Sequence, residues 1–146
     1  MKIGLIADTQ GSFDVSALLE HVAKEFAGVD EIWHAGDWGS EDVLIGLREL
    51  GRLVVVNGNA PDDPRYPMTI EGTIGQWRLG MVHDLAKRPA RWAAGFNVVI
   101  HGHTHRPARH EHRFDGRVCE RWVLPDWYES GGVLVCDDKG CQMQNL

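Results

Sequence analysis

Three short apolar runs, residues 3–7, 31–34 and 52–56, constrain this chain more than any other feature, because each is separated from the next by a segment of helical periodicity. In the first such segment Val15, Leu18, Leu19, Val22 and Phe26 recur at helical spacing, with Asp14 or Ser16 available as the cap and Gly28 as the stop. In the second, Ser40 precedes Val43, Leu44, Leu47 and Leu50, and Gly51 follows. Strand, helix, strand, helix, strand at these lengths calls for parallel pairing with right-handed crossovers. Whatever follows each strand is then delivered to the carboxyl edge of one sheet, where α/β folds build their sites.

The second half reads mainly as β. Residues 61–67 are rich in proline and aspartate and form a loop. Residues 68–74 and 76–82 make a hairpin about Gly75, residues 88–94 a short helix with Pro89 in its first turn, and residues 98–101 a buried strand. A second hairpin joins 109–114 to 118–124 about Asp115-Gly116, and a third joins 132–136 to 140–144 around Asp138-Lys139. The order fits an α/β fold, a two-sheet β-sandwich flanked by helices, with residues 1–146 as one domain and no internal repeat.

Composition excludes some classes. A net charge of −6 argues against a nonspecific duplex-binding surface. No apolar stretch is long enough to span a bilayer. Lys2 leads straight into the first strand without a secretory pattern, so a cytoplasmic location is expected. Cys119, Cys136 and Cys141 are odd in number and lack zinc-type spacing, and free thiols are the expectation. A homo-oligomer is left open.

The polar residues at the strand ends carry the chemistry. Asp8 follows the first run, Asp37 follows Gly36, Asn59 follows Gly58, and His103 and His105 follow Gly102; His83 closes the 76–82 segment. Taken singly, each is weak, since an aspartate after a strand is most often a cap or turn residue. Six in this order form a mixed nitrogen and oxygen set that suits Mn, Fe, Zn, Ni or Co. Six donors exceed what one tetrahedral ion needs, and they can hold two ions if a carboxylate bridges. Trp38, next to Asp37, is placed either to wall the cleft and stack on a substrate or to pack in the core. Arg106 can reach a phosphate bidentately. His34 and His101 sit where they can orient ligands. His21 reads as a helix-surface or packing residue, and His110, His112 and the arginines from Arg109 to Arg121 read as a solvated strand face. Trp33, Trp77, Trp92 and Trp122 read as core, and Trp127-Tyr128 as packing or a partner contact.

The blocks Asp8-Thr9-Gln10-Gly11, Gly36-Asp37, Gly58-Asn59, His83 and Gly102-His103-Thr104-His105 resemble calcineurin-like metallophosphoesterases of the small bacterial phosphodiesterase type. Residues 101–108 and 122–129 are similar to UDP-2,3-diacylglucosamine hydrolases. The resemblance implies a four-layer αββα fold and a dinuclear centre, Mn foremost, acting on a phosphate ester, with a phosphodiester preferred. It implies Asp8 and His105 on the first ion, with Gln10 at the adjoining ligand position, Asp37 as the bridge, and Asn59, His83 and His103 on the second ion. Asp37, Asn59 and His103 would then serve an in-line attack by a metal-bridging hydroxide. Two departures stand out. Gln10 replaces the family's usual histidine with a weaker neutral oxygen, and Ala60 removes the acid or cation that often follows the asparagine. They give weight to an alternative, a weak or inactive interaction module like the retromer scaffold subunit. A pyrophosphate hydrolase of the UDP-2,3-diacylglucosamine type is a further alternative, although this chain has little room for a lipid-gripping insertion.

Overall fold

The structure, a computed structural model, describes residues 1–11, 14–114, 116–128 and 131–145. The elements run β1 (Ile3–Ile6), α1 (Val15–Glu25), β2 (Glu31–His34), α2 (Glu41–Leu50), β3 (Arg52–Val55), β4 (Thr69–Ile74), β5 (Trp77–Val82), β6 (Val98–His101), β7 (Ala108–Phe114), β8 (Arg117–Val123), β9 (Gly132–Asp137) and β10 (Gly140–Asn145). They make two five-stranded sheets, β10-β9-β1-β2-β3 and β4-β5-β6-β8-β7. β1, β2 and β3 pair in parallel, as do β5, β6 and β8, while the hairpin partners run antiparallel.

Both faces of the first sheet are buried, which is why its strands read as continuous apolar runs. Leu5 and Trp33 point inward to meet Met81, Ile100 and Trp122 of the second sheet. Ile6 and Ile32 point outward to Leu18 and Val22 of α1 and Leu47 of α2. Asp14 caps α1 by accepting from the Ala17 amide at 3.1 Å, and Ser40 caps α2 through the Asp42 amide at 3.1 Å. No helix among the described residues is long and apolar enough to cross a membrane.

Two expectations need correction. Residues 88–94 do not form a helix. Short 3₁₀ turns at Leu85–Lys87 and Trp92–Gly95 replace it, with Arg91 between them in the left-handed region (φ 61°) where a helix cannot propagate. They bring Leu85 and Trp92 onto Phe96, Val99 and Cys119, and this thin layer covers the outer face of the second sheet.

The cysteines are not all free: Cys136 and Cys141 form a disulfide, leaving Cys119 as the buried free thiol. The β9–β10 register sets Cys141 directly opposite Cys136, with Cα atoms 4.1 Å apart. A spacing rule aimed at zinc sites passes over a pair that becomes adjacent only across a hairpin. Asp115 and Glu129 lie outside the described residues.

Closing so short a loop is worth about 2 kcal/mol on the chain-entropy scale, or roughly 4–8 °C in Tm for a chain of this size. Reduction should lower Tm by that amount. Thiol titration of the denatured, unreduced chain should count one thiol, rising to three after reduction; three before reduction would exclude the disulfide.

Candidate metal centre

The sequence-predicted residues come together at the carboxyl ends of β1, β2, β3, β5 and β6. The turns are sharp: Asp8 (φ 54°), Asp37 (φ 58°), His103 (φ 70°) and His105 (φ 56°) all adopt the left-handed conformation. Each non-glycine residue there costs about 1–2 kcal/mol, and such strain clusters at functional sites. The neighbouring glycines leave room for the carboxylates. A Cβ on Gly58 would collide with Asp37 Oδ1, and one on Gly102 with Asp8 Oδ2.

Asp37 is the most heavily bonded of the set. Its Oδ1 accepts the backbone N–H of Asn59 at 2.6 Å and of Ala60 at 2.9 Å, while Oδ2 accepts Gln10 Nε2 at 3.2 Å. Burial pushes its pKa up, but His83 beside it, when protonated, and the bonds from the Asn59 and Ala60 amides outweigh burial and hold the carboxyl well below the usual range. His83 Nδ1 lies 2.8 Å from the Ala35 carbonyl, so that nitrogen carries the proton and donates. In the neutral ring Nε2 then presents a lone pair 3.3 Å from Asp37 Oδ1. Two lone pairs facing each other in a buried cleft are satisfied only by a cation between them, a proton or a metal.

Asp8 repeats the pattern. Its Oδ2 accepts the His103 backbone N–H at 3.1 Å, and its Oδ1 lies 3.4 Å from His105 Nε2. Burial raises the Asp8 carboxyl to about 6, against the opposing pull of His83 and His105. Asp8 Oδ1, Gln10 Oε1 and His83 Nε2 are all buried without a hydrogen-bond partner. Two donors on one ion at about 2.1 Å stand about 3.0–3.4 Å apart, so these pairs are spaced as a divalent ion requires. Asp37, His83 and His103 also bring one ligand atom each within 4.8 Å of one another. The residues fit a metal centre.

Asn59 is differently engaged. Its Nδ2 lies 3.3 Å from His103 Nδ1, and its Oδ1 accepts Lys87 Nζ at 3.1 Å. Trp38 does not wall the cleft: it is fully buried against Leu44, Val55 and Tyr66, because the turn after Asp37 folds it into the core. Arg106 is exposed and has no ion pair among the described residues. His101 is buried and shares Arg121 with His112, at 3.0 and 3.2 Å, so part of the expected solvated face is a bonded cluster.

Sequence reasoning passed over three residues near the centre. Tyr128 places its ring 5.2 Å from His105. Asp84 lies 3.8 Å from His103 Nε2 and directly follows His83. Asn57 joins Asp62 and Asp63 at 2.8 and 2.7 Å and so shapes the loop that carries Asn59. Asp84 and Asn57 left a signal, their adjacency to His83 and to Gly58-Asn59; Tyr128 depends on long-range folding.

His34 ties the two aspartate turns together. Its Nδ1 accepts the Gly36 N–H at 3.1 Å, so Nε2 carries the proton and donates to Thr9 Oγ1 at 2.9 Å, which in turn donates to the Trp38 carbonyl at 3.1 Å. Protonating Nδ1 would orphan the Gly36 amide. Burial lowers the His34 pKa from 6.5 to about 3, so the unfolded chain takes up a proton that the folded chain refuses. This histidine therefore costs nothing above pH 6.5 and destabilises progressively as pH falls toward 3, by up to about 1.4 kcal/mol per pH unit. Asp8, with a raised pKa, works in the opposite sense, so the clean readout is a difference. The stability gap between wild type and His34→Asn, measured in urea without metal, should narrow from pH 7 to pH 5. A gap independent of pH would mean that His34 binds its proton equally in the folded and unfolded chain, and a gap that widens toward pH 5 that the fold holds it protonated.

The family profile described as the calcineurin-like phosphoesterase superfamily domain matches residues 1–124. A stretch of 46 residues is 56% identical to UDP-2,3-diacylglucosamine hydrolase of Aromatoleum aromaticum, covering 32% of this chain and 19% of that protein. The chain therefore spans about a fifth of that relative's length. Among solved structures, an archaeal phosphodiesterase superposes with a TM-score of 0.75 at 20% identity over 100% of both chains. Vps29 from Entamoeba histolytica, complexed with zinc, superposes with a TM-score of 0.73 at 14% identity over 100% of this chain and 98% of that one. At such identities the likeness is one of fold, and it agrees with the two-sheet order. With most of its length matched and the motif residues converging on one edge, the chain belongs to the calcineurin-like phosphoesterase superfamily.

Proposed function

We propose that this chain is a metal-dependent phosphoesterase that hydrolyses a phosphodiester at a dinuclear centre, with Mn the first ion to test. The observation that carries the reading is the set of buried atoms without a hydrogen-bond partner among the described residues, Asp8 Oδ1, Gln10 Oε1 and His83 Nε2, with Asp37 Oδ1 3.3 Å from His83 Nε2 and His105 Nε2 3.4 Å from Asp8 Oδ1. Asp8, Gln10 and His105 would hold one ion; Asn59, His83 and His103 the other; Asp37 would bridge. Divalent ions bound there supply Lewis acidity and lower the pKa of water toward ~7. The chain's own part is orientation. The Asn59 and Ala60 amides fix the Asp37 carboxylate, and the His103 amide fixes Asp8. The diester preference rests on the resemblance of the motif blocks to small bacterial phosphodiesterases.

A second reading, hydrolysis of a pyrophosphate bond as in UDP-2,3-diacylglucosamine hydrolase, is favoured by the local 56% identity. The interaction-module reading draws less support, since Trp127 is fully buried and leaves Tyr128 alone at the surface of that segment.

Calorimetric titration with Mn should return about two ions per chain, and Mn should drive cleavage of bis(p-nitrophenyl) phosphate. Asp37→Ala should abolish binding of both ions and lower kcat/KM by at least about 100-fold, the scale of losing a buried ligand and its orienting bonds. Gln10→His should tighten one of the two sites. Faster turnover on a UDP-sugar pyrophosphate than on any diester would select the second reading, and no Mn uptake would sink both.

A further inference from the structure

Lys87 stands four residues beyond His83, on a 3₁₀ turn whose start is pinned by Asp84: the Asp84 carboxylate accepts the Ala86 amide at 3.0 Å and its carbonyl accepts the Lys87 amide at 3.0 Å. From this base the ammonium reaches back to the candidate centre and donates to Asn59 Oδ1 at 3.1 Å. It lines a cavity of about 220 Å³ together with Asn59, His83, Asp84, Asp62 and Met68. Although two of those neighbours are aspartates, Lys87 has no ion pair among the described residues. Its charge is directed to a neutral amide oxygen instead.

That amide oxygen is the atom Asn59 would offer to a divalent ion. Asn59 and Lys87 are both exposed, yet a lysine ammonium and a divalent ion bonded to one oxygen stand close enough to repel each other even in water-rich surroundings. The lysine must leave when the ion arrives. It then swings free beside the centre, in the cavity where a phosphoryl group would lie, and supplies a cation that Ala60 does not.

We propose that Lys87 exchanges partners: it holds the Asn59 amide in the metal-free chain and anchors a phosphoryl oxygen of the ester once an ion takes that amide. The proposal deepens the phosphoesterase reading and rests on it. It makes Lys87 a substrate-anchoring residue reached from β5, not from the loop after β3. It also makes the lysine a competitor of the metal for Asn59.

Lys87→Met separates these roles from a merely structural one. Mn binding at one of the two sites should tighten several-fold in calorimetry, because a competing cation is gone. KM for bis(p-nitrophenyl) phosphate and the inhibition constant of inorganic phosphate should both rise about tenfold or more, the usual scale of a lost charge-assisted hydrogen bond. kcat should change far less, and Lys87→Arg should restore phosphate affinity. An unchanged phosphate inhibition constant in Lys87→Met overturns the proposal, whatever the Mn isotherm does. A wild-type chain that takes up no Mn overturns the phosphoesterase reading itself, and the two failures are told apart by the wild-type isotherm alone.

Discussion

The Asp37 carboxylate is the constraint on which the rest of the centre depends. One oxygen gathers two consecutive amides from the loop after β3 and faces the imidazole that follows β5, while the other takes the Gln10 side chain from the turn after β1. Its own backbone carbonyl accepts the Thr9 amide at 2.9 Å. Four chain segments distant in sequence therefore meet at one side chain. An ionised, buried carboxylate is normally expensive, and here directed amides help to keep it charged against the effect of burial. Burial lowers the His83 pKa, and the Asp37 carboxylate beside it more than offsets that and raises it.

Strain and desolvation tell the same story. Four of the six expected ligands sit in the left-handed region, and Asp8 is wholly buried with an unpartnered oxygen. A fold serving only to bury apolar surface gains nothing from these costs, since aspartate and histidine are poor core residues. They become intelligible if a cation of higher charge than a proton is bound where the lone pairs converge. The two sheets provide the rigid frame: each contributes parallel strands whose carboxyl ends face the same cleft, so small movements of either would misplace ligands from both.

The sequence made the fold legible where burial and periodicity coincide. β1, β2, β3 and both helices were readable because their apolar positions face two different layers with regular spacing, and Asp14 and Ser40 cap as expected. Residues 85–95 were not, since Pro89 and the left-handed Arg91 interrupt a composition that otherwise allows a helix. The convergence of the candidate residues on one edge was legible because they follow strands, several of them through a glycine turn. For Trp38 the sequence left cleft wall and core packing both open, because adjacency to Asp37 says where the backbone goes; the side chain turns back into the core. Tyr128 and Lys87 reach the cleft from segments with no strand-end signal, so only the folded chain brings them there.

The two halves of the centre differ in what holds them. Around Asp37 two of the groups are buried and tied to backbone, His83 through the Ala35 carbonyl and Asp37 through two amides, while Asn59 and His103 are exposed. Around Asp8 the imidazole is His105, a third exposed, and the remaining donor is the neutral amide of Gln10. That amide spends its N–H on Asp37, which fixes its orientation and leaves the oxygen as a buried acceptor without a partner. Gln10 is therefore not simply a poorer histidine; its placement depends on the charge of Asp37 in the other half. Lys87 adds the reverse dependence, since it occupies Asn59 in the half that is otherwise better built. The groups around Asp37 and around Asp8 are therefore linked by direct hydrogen bonds, through Gln10 to Asp37 and through the Asp8 carboxylate to the His103 amide.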